Sequence, residues 1–93
     1  LLAHHPNLYR PGAFGGHAIE PANETGIRWA KQLMENEGCA CVIPITHQDL
    51  ADDHALARMQ RDPIFPLIVA GHEQCLLLEF LQVKQTSCIV LNA

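Results

Sequence analysis

Residues 67–74 read LIVAGHEQ, and this stretch decides the fold. Four apolar residues in succession are typical of a short buried strand. Gly71 follows them, and we expect it to let the chain turn sharply or approach another segment closely. His72 and Gln74 are two residues apart, so they would point the same way from an extended chain. Because buried α/β sheets carry their chemistry at the carboxyl ends of strands, this strand end is a candidate site.

A second strand that ends in a histidine lies upstream. Residues 39–45 read CACVIPI and predict a strand, after which come Thr46 and His47. Pro44 has no amide hydrogen to donate, so this strand is predicted at an edge of the sheet or already leaving it. We therefore expect neighbouring strands to present His47 and His72 at the same edge.

Taken from the residues alone, His47, His72 and Gln74 are candidate metal ligands. Imidazole suits Zn, Mn, Fe or Ni, whereas the amide oxygen of Gln74 is a weaker, neutral donor. Asp49 could orient His47 from behind, or it could simply begin a turn. The alternative is that both histidines are ordinary core or loop residues.

One helix is predicted before each of these two strands. Asn23 is a suitable N-cap for the first helix, which runs to Glu37 and ends at Gly38. Its apolar stripe consists of Ile27, Ala30, Leu33 and Met34. Asp52 or Asp53 can cap a second helix that runs to about Arg61, where Asp-Pro stops it. Its inner stripe consists of Ala55, Leu56 and Met59.

The remaining chain sets the domain organisation. Residues 75–83 and 87–91 are rich in Leu, Val and Ile around a polar break, which predicts a β-hairpin. Residues 1–18 contain Pro and Gly and predict an irregular segment. Residues 19–93 therefore predict an α/β unit in the order helix, strand, helix, strand, hairpin.

The composition limits the class of protein. Ninety-three residues with 48% hydrophobic content make at most one small globular domain. The net charge is −4 without a basic patch, so nucleic acid is not an expected partner. The apolar runs are too short for a membrane span. The start at Leu1 and the apolar final segment predict a piece of a longer protein.

Four cysteines allow three interpretations. They can be buried free thiols, which would favour an intracellular protein; they can form a disulfide between sheets; or Cys75 can bind zinc with His72. The sequence has no C-x-x-C pair.

Residues 42–57, VIPITHQDLADDHALA, together with residues 67–74 resemble the calcineurin-like metallophosphoesterases, and most closely their 5′-nucleotidase branch. The resemblance covers roughly residues 19–93, and the two motifs with a helix between them carry it. It implies a sandwich of two β-sheets flanked by helices, of which this chain would be the C-terminal half.

The resemblance also implies a function. Such enzymes use two divalent ions (Zn, Mn, Fe or similar) to activate the water that attacks phosphorus, and they hydrolyse phosphomonoesters such as nucleotides. His47 matches the histidine of the penultimate ligand motif, and His72 matches the first ligand of the last motif. Gln74 stands where many members have a second histidine.

The family's earlier motifs are an Asp-x-His, a Gly-Asp and an Asn-His, and none precedes His47. The metal site is therefore incomplete, and we expect the isolated chain to be inactive without its N-terminal half-domain. The alternative is a truncated, non-catalytic relative that acts as a protein-binding module, with a partner or a second copy covering its open core.

Overall fold

The structure is a computed structural model that describes residues 1–62, 64–73, 75–83 and 86–93. These residues form an α/β fold with one mixed sheet and two helices. After a 3₁₀ turn at Pro6–Leu8, the elements are α1 (Ala22–Glu37), β1 (Ile45–Thr46), α2 (Leu50–Met59), β2 (Leu67–Ala70), β3 (Leu77–Val83) and β4 (Thr86–Asn92). The predicted order of helix, strand, helix, strand and hairpin is confirmed.

The four strands lie in the order β1-β2-β4-β3. β1 pairs with β2 in parallel, and β2 pairs with β4 in parallel. β3 and β4 form the predicted antiparallel hairpin. The expected fold had two sheets, whereas the described residues contain this one.

One face of the sheet carries the core. Strand residues alternate between faces, and those beneath the helices are buried: Thr46, Ile68, Ala70, Cys88, Val90 and Asn92. α2 packs on this face with Leu56 and Ala57, both fully buried, and α1 adds Ala30. The pair between His54 of α2 and Glu79 of β3 fastens the helix to the outer strand.

The strand predicted over residues 39–45 is much shorter, since β1 contains only Ile45 and Thr46. Cys39 and Cys41 are exposed instead. Pro44 explains the difference, because it has no amide hydrogen and the ladder begins after it. Its carbonyl still accepts a hydrogen bond from the Val69 amide at 2.9 Å. The predicted edge position is confirmed, since β1 is the outer strand of the four-stranded sheet.

The predicted helix starts are displaced. Pro21, not Asn23, precedes the first turn of α1, and Asp49 rather than Asp52 or Asp53 precedes α2. Gly38 ends α1 as predicted, with the left-handed φ of 68° that glycine allows. On the inner face of α2, Ala57 is buried, whereas Met59, which was predicted to lie there, is exposed.

Asn23 has a tertiary role instead of a capping one. Its side-chain nitrogen donates to the Asp52 carbonyl at 2.8 Å, and its oxygen accepts from Gln48 Nε2 at 2.9 Å. The two helices are therefore joined through the segment that immediately follows His47.

A buried carboxyl lies beside this junction. Asp53 is fully buried, and its Oδ1 accepts from Gln48 Nε2 at 3.0 Å. Within the described residues, Asp53 Oδ2 and Thr46 Oγ1 have no partner in standard hydrogen-bond geometry, although the Thr46 hydroxyl is near enough to Asp53 to favour its ionised form. Burial raises the pKa of Asp53, although its interactions with Thr46 and Gln48 partly oppose the rise. The neutral acid is therefore favoured more in the folded than in the unfolded chain.

None of the helices in the described parts of the chain is long and apolar enough to span a membrane.

We expect Asp53→Asn to stabilise the fold at neutral pH. The raised pKa means that folding takes up a proton, so the free energy of unfolding falls as pH rises from the unfolded pKa through the folded one. The neutral amide removes this loss, keeps the acceptor for Gln48 and offers a donor towards Thr46. Thermal unfolding should show a gain of about 1 kcal/mol at pH 7 that shrinks at pH 3–4. A pH-independent difference would contradict the protonation argument.

Candidate functional site

The parallel pairing of β1 with β2 brings the two predicted histidines together. Thr46 lies opposite Ala70, so both strands end at the same edge of the sheet. His47 Nε2 and His72 Nδ1 are 3.4 Å apart, and the rings meet edge to face with centroids 5.1 Å apart. The prediction that neighbouring strands present His47 and His72 at the same edge of the sheet is confirmed.

The separation of 3.4 Å between these two nitrogens allows two states. With a proton on one ring nitrogen, it is a long hydrogen bond. Without that proton, both lone pairs can bind one ion, because two Zn–N bonds of about 2.0–2.1 Å at a tetrahedral angle place their nitrogens about 3.4 Å apart. Both side chains are exposed, so an ion can reach them. The distance between the two nitrogens therefore equals the distance between two ligands of one tetrahedral zinc ion.

Asp49 contacts His72 rather than the predicted His47. Its Oδ1 lies 3.3 Å from His72 Nε2, the ring nitrogen that faces away from His47. Asp49 reaches this position because it stands at the start of α2, where its carboxyl makes no capping hydrogen bond. A carboxylate on the outer nitrogen favours the tautomer whose Nδ1 lone pair points to His47.

Gln74, the third predicted ligand, lies outside the described residues. Across residues 1–62, 64–73, 75–83 and 86–93, no group of three or more His, Cys, Asp or Glu side chains could hold a metal ion. This part of the chain supplies two imidazoles and one supporting carboxylate.

The first residues of the chain pair with the backbone of His47 at the outer edge of β1. The His47 amide donates to the Leu1 carbonyl at 2.9 Å, and its carbonyl accepts from the Ala3 amide at 3.1 Å. This short parallel pairing lies within the segment 1–18 that was predicted to be irregular. The sequence gives no indication of it, because the contact joins residues more than 40 positions apart.

Asn92 is a residue of the site that the sequence analysis missed. It ends β4, is 1% exposed, and donates from Nδ2 to the carbonyls of Glu73 and Cys75, both at 2.7 Å. The sequence signal for Asn92 is a polar side chain at the end of the apolar run IVLN. A polar side chain that is buried with such a run needs hydrogen-bond partners.

Gly71 lies at the turn after β2 as expected, but its described surroundings do not require a glycine. Its φ lies outside the left-handed region that favours glycine. A Cβ built there would lie 3.8 Å from the Ala93 oxygen, 3.9 Å from the Thr46 oxygen and 4.0 Å from His47 Nδ1, which are ordinary contacts. The chain turns at this strand end without needing the freedom of glycine.

The cysteines do not form disulfides. All four are free, but only Cys88 is buried, and burial raises the pKa of its thiol. Cys75 is exposed and close to the amide of Asn92, with its sulfur 3.7 Å from Nδ2. The alternative zinc site with His72 finds no support in the described side chains.

Comparison with known proteins adds no relative: no family model, no curated protein and no solved structure matches the chain.

We expect Gly71→Ala to be tolerated, with a loss of unfolding free energy below about 0.5 kcal/mol. Gly38→Ala is the matched control, because its φ of 68° strains any side chain although no atom lies within 4 Å of the new Cβ. That control should lose about 1 kcal/mol. Chemical denaturation of both variants compares the two values, and a larger loss at Gly71 would show that the strand end needs glycine.

Proposed function

We propose that this chain supplies the last two metal-ligand motifs of a metallophosphoesterase domain of the 5′-nucleotidase type, which hydrolyses phosphomonoesters, in particular nucleotides. The observation that supports this most is the distance of 3.4 Å between His47 Nε2 and His72 Nδ1 at the ends of adjacent parallel strands. The two motifs that resemble the family are far apart in sequence, and they meet here with a geometry that suits one ion.

The roles of the residues follow from their positions. His47 and His72 would bind one of two divalent ions as neutral imidazoles, and Gln74 would add its amide oxygen, as the resemblance implies. Asp49 would hold the outer nitrogen of His72. When bound, the ions would lower the pKa of water and neutralise charge on the phosphate. The bridging carboxylate and the other ligands would come from the family's earlier motifs.

The uncovered face of the sheet supports the proposed two-sheet sandwich. Seven apolar residues share the face opposite the helices: Ile45, Leu67, Val69, Leu78, Phe80, Ile89 and Leu91. Ile45 is 73% exposed and Phe80 is 68% exposed. Within sandwiches such a face packs about 10 Å from a second sheet. The proposed first half of the domain would supply that sheet.

The same face favours one other function. A contiguous apolar surface of this kind is typical of protein–protein contacts. A non-catalytic relative could use it to bind a partner or a second copy of the chain, and it would need neither ion. Metal binding separates the two functions, since only the phosphoesterase requires the histidine pair.

We expect His72→Ala to abolish phosphatase activity on a generic phosphomonoester in the complete enzyme and to remove one metal equivalent. The physical reason is the loss of an ion ligand that also touches His47 and Asp49. His17→Ala is the control, because that histidine is exposed in the N-terminal segment. Metal analysis and a phosphate-release assay give the result, and full activity of the His72 variant would refute the assignment.

Phe80→Asp tests whether a second sheet covers this face, with Phe80→Leu as the control. If a second sheet covers this face in the complete enzyme, the buried charge should lower the unfolding free energy by about 3 kcal/mol or more, while leucine costs much less. If the face is open, both variants should unfold like the wild type. Denaturant titrations distinguish these outcomes.

A further inference from the structure

We infer that Asn92 is a positioning residue, whose side chain fixes the loop that presents His72 to a metal ion. This inference rests on the proposed function, because it assigns Asn92 a part in metal binding at that same site. The residue itself touches neither histidine.

Asn92 lies in the sheet at the base of the loop that joins β2 to β3 and carries His72. Its register partners are Ala70 on one side and Leu77 on the other. The loop that carries His72 leaves the sheet just after Ala70 and returns to it at Leu77. The next amide, that of Ala93, donates to the Ala70 carbonyl at 3.1 Å and closes the base of the loop.

The hydrogen bonds use the full donor capacity of the side chain. An amide nitrogen carries two hydrogens, and they serve the carbonyls of Glu73 and Cys75, each at 2.7 Å. These carbonyls stand directly before and directly after position 74. The amide of Cys75 also donates to the Glu73 carbonyl at 2.8 Å. This carbonyl therefore accepts from both Asn92 and Cys75, and it belongs to the residue next to His72.

Packing alone does not account for an asparagine at this position. The side chain is 1% exposed at the end of an otherwise apolar run, where a leucine or valine would avoid the loss of hydration. Its donors are satisfied by the loop rather than by the helices above. The residue therefore holds the backbone at Glu73 and Cys75, and the hold on Glu73 sets the position of its neighbour His72 relative to His47.

The test is Asn92→Asp in the complete enzyme, with Val90→Ala as the matched control. The aspartate keeps the shape but turns oxygens towards both carbonyls, so the loop loses its donors. Val90 is fully buried two residues earlier on the same face of β4, so its truncation weakens the core without touching the loop. Zn²⁺ is titrated alone, and the ring resonances of His72 report binding at this site.

We expect the Zn²⁺ dissociation constant to rise roughly tenfold or more in Asn92→Asp, as for other residues that support a ligand, and to stay within about twofold in Val90→Ala. Asn92→Ala serves as the second variant if the aspartate prevents folding, and it should weaken binding in the same direction. Equal effects of the Asn92 and Val90 variants would overturn the inference, because a general loss of stability would then explain both.

A complete wild-type enzyme whose His72 resonances do not respond to Zn²⁺ would overturn the proposed function instead. The positioning role is then decided by hydrogen exchange at the Cys75 amide, which donates to the Glu73 carbonyl. Faster exchange in Asn92→Asp than in Val90→Ala supports it, and equal exchange refutes it.

Discussion

The parallel register between β1 and β2 is the constraint on which the site depends. With Thr46 opposite Ala70, the residues after both strands emerge at one level, and two imidazoles can meet. A strand advances about 3.3 Å per residue, so a slip of one position would separate the nitrogens beyond the reach of one ion. It would also turn Thr46 out of the buried face and Ile45 into it. The core beneath the helices therefore fixes the geometry of the site.

The helix α2 secures this register because it begins three residues after His47. Leu56 and Ala57 anchor the helix on the sheet, and Gln48 joins its buried Asp53 to Asn23 of α1. The polar contacts are directional, whereas the apolar ones are not, so the former define where the chain leaves β1. The buried carboxyl destabilises the fold at neutral pH, and its hydrogen bond from Gln48 offsets part of that loss.

The sequence predicted those features that depend on local patterns. Apolar runs and helical stripes gave the element order, and the two strand-end histidines were expected to meet, as they do. The features it missed depend on contacts between distant segments. Asn23 is in range to cap a helix by local rules, yet it binds Gln48 and Asp52 across the fold. Asp49 lies near His47 in sequence but reaches His72 in space, and Asn92 serves a loop about 19 residues away. Such contacts follow from the docking of elements, which periodicity does not encode.

The histidine pair and the apolar sheet face are the two features that any proposed function has to explain. Among the described residues, the histidine pair provides two ligands where a zinc ion takes four, and the sheet face opposite the helices exposes Ile45, Leu78 and Phe80. A binding partner would cover the apolar face, and the 3.4 Å approach of the two exposed imidazoles would then be a hydrogen bond only. A half-domain with its own sheet and its own carboxylate ligands would meet both needs at once. Since α/β sheets place ligands at the carboxyl edge of strands, the strands of a second sheet packed on this face would end beside the same histidines.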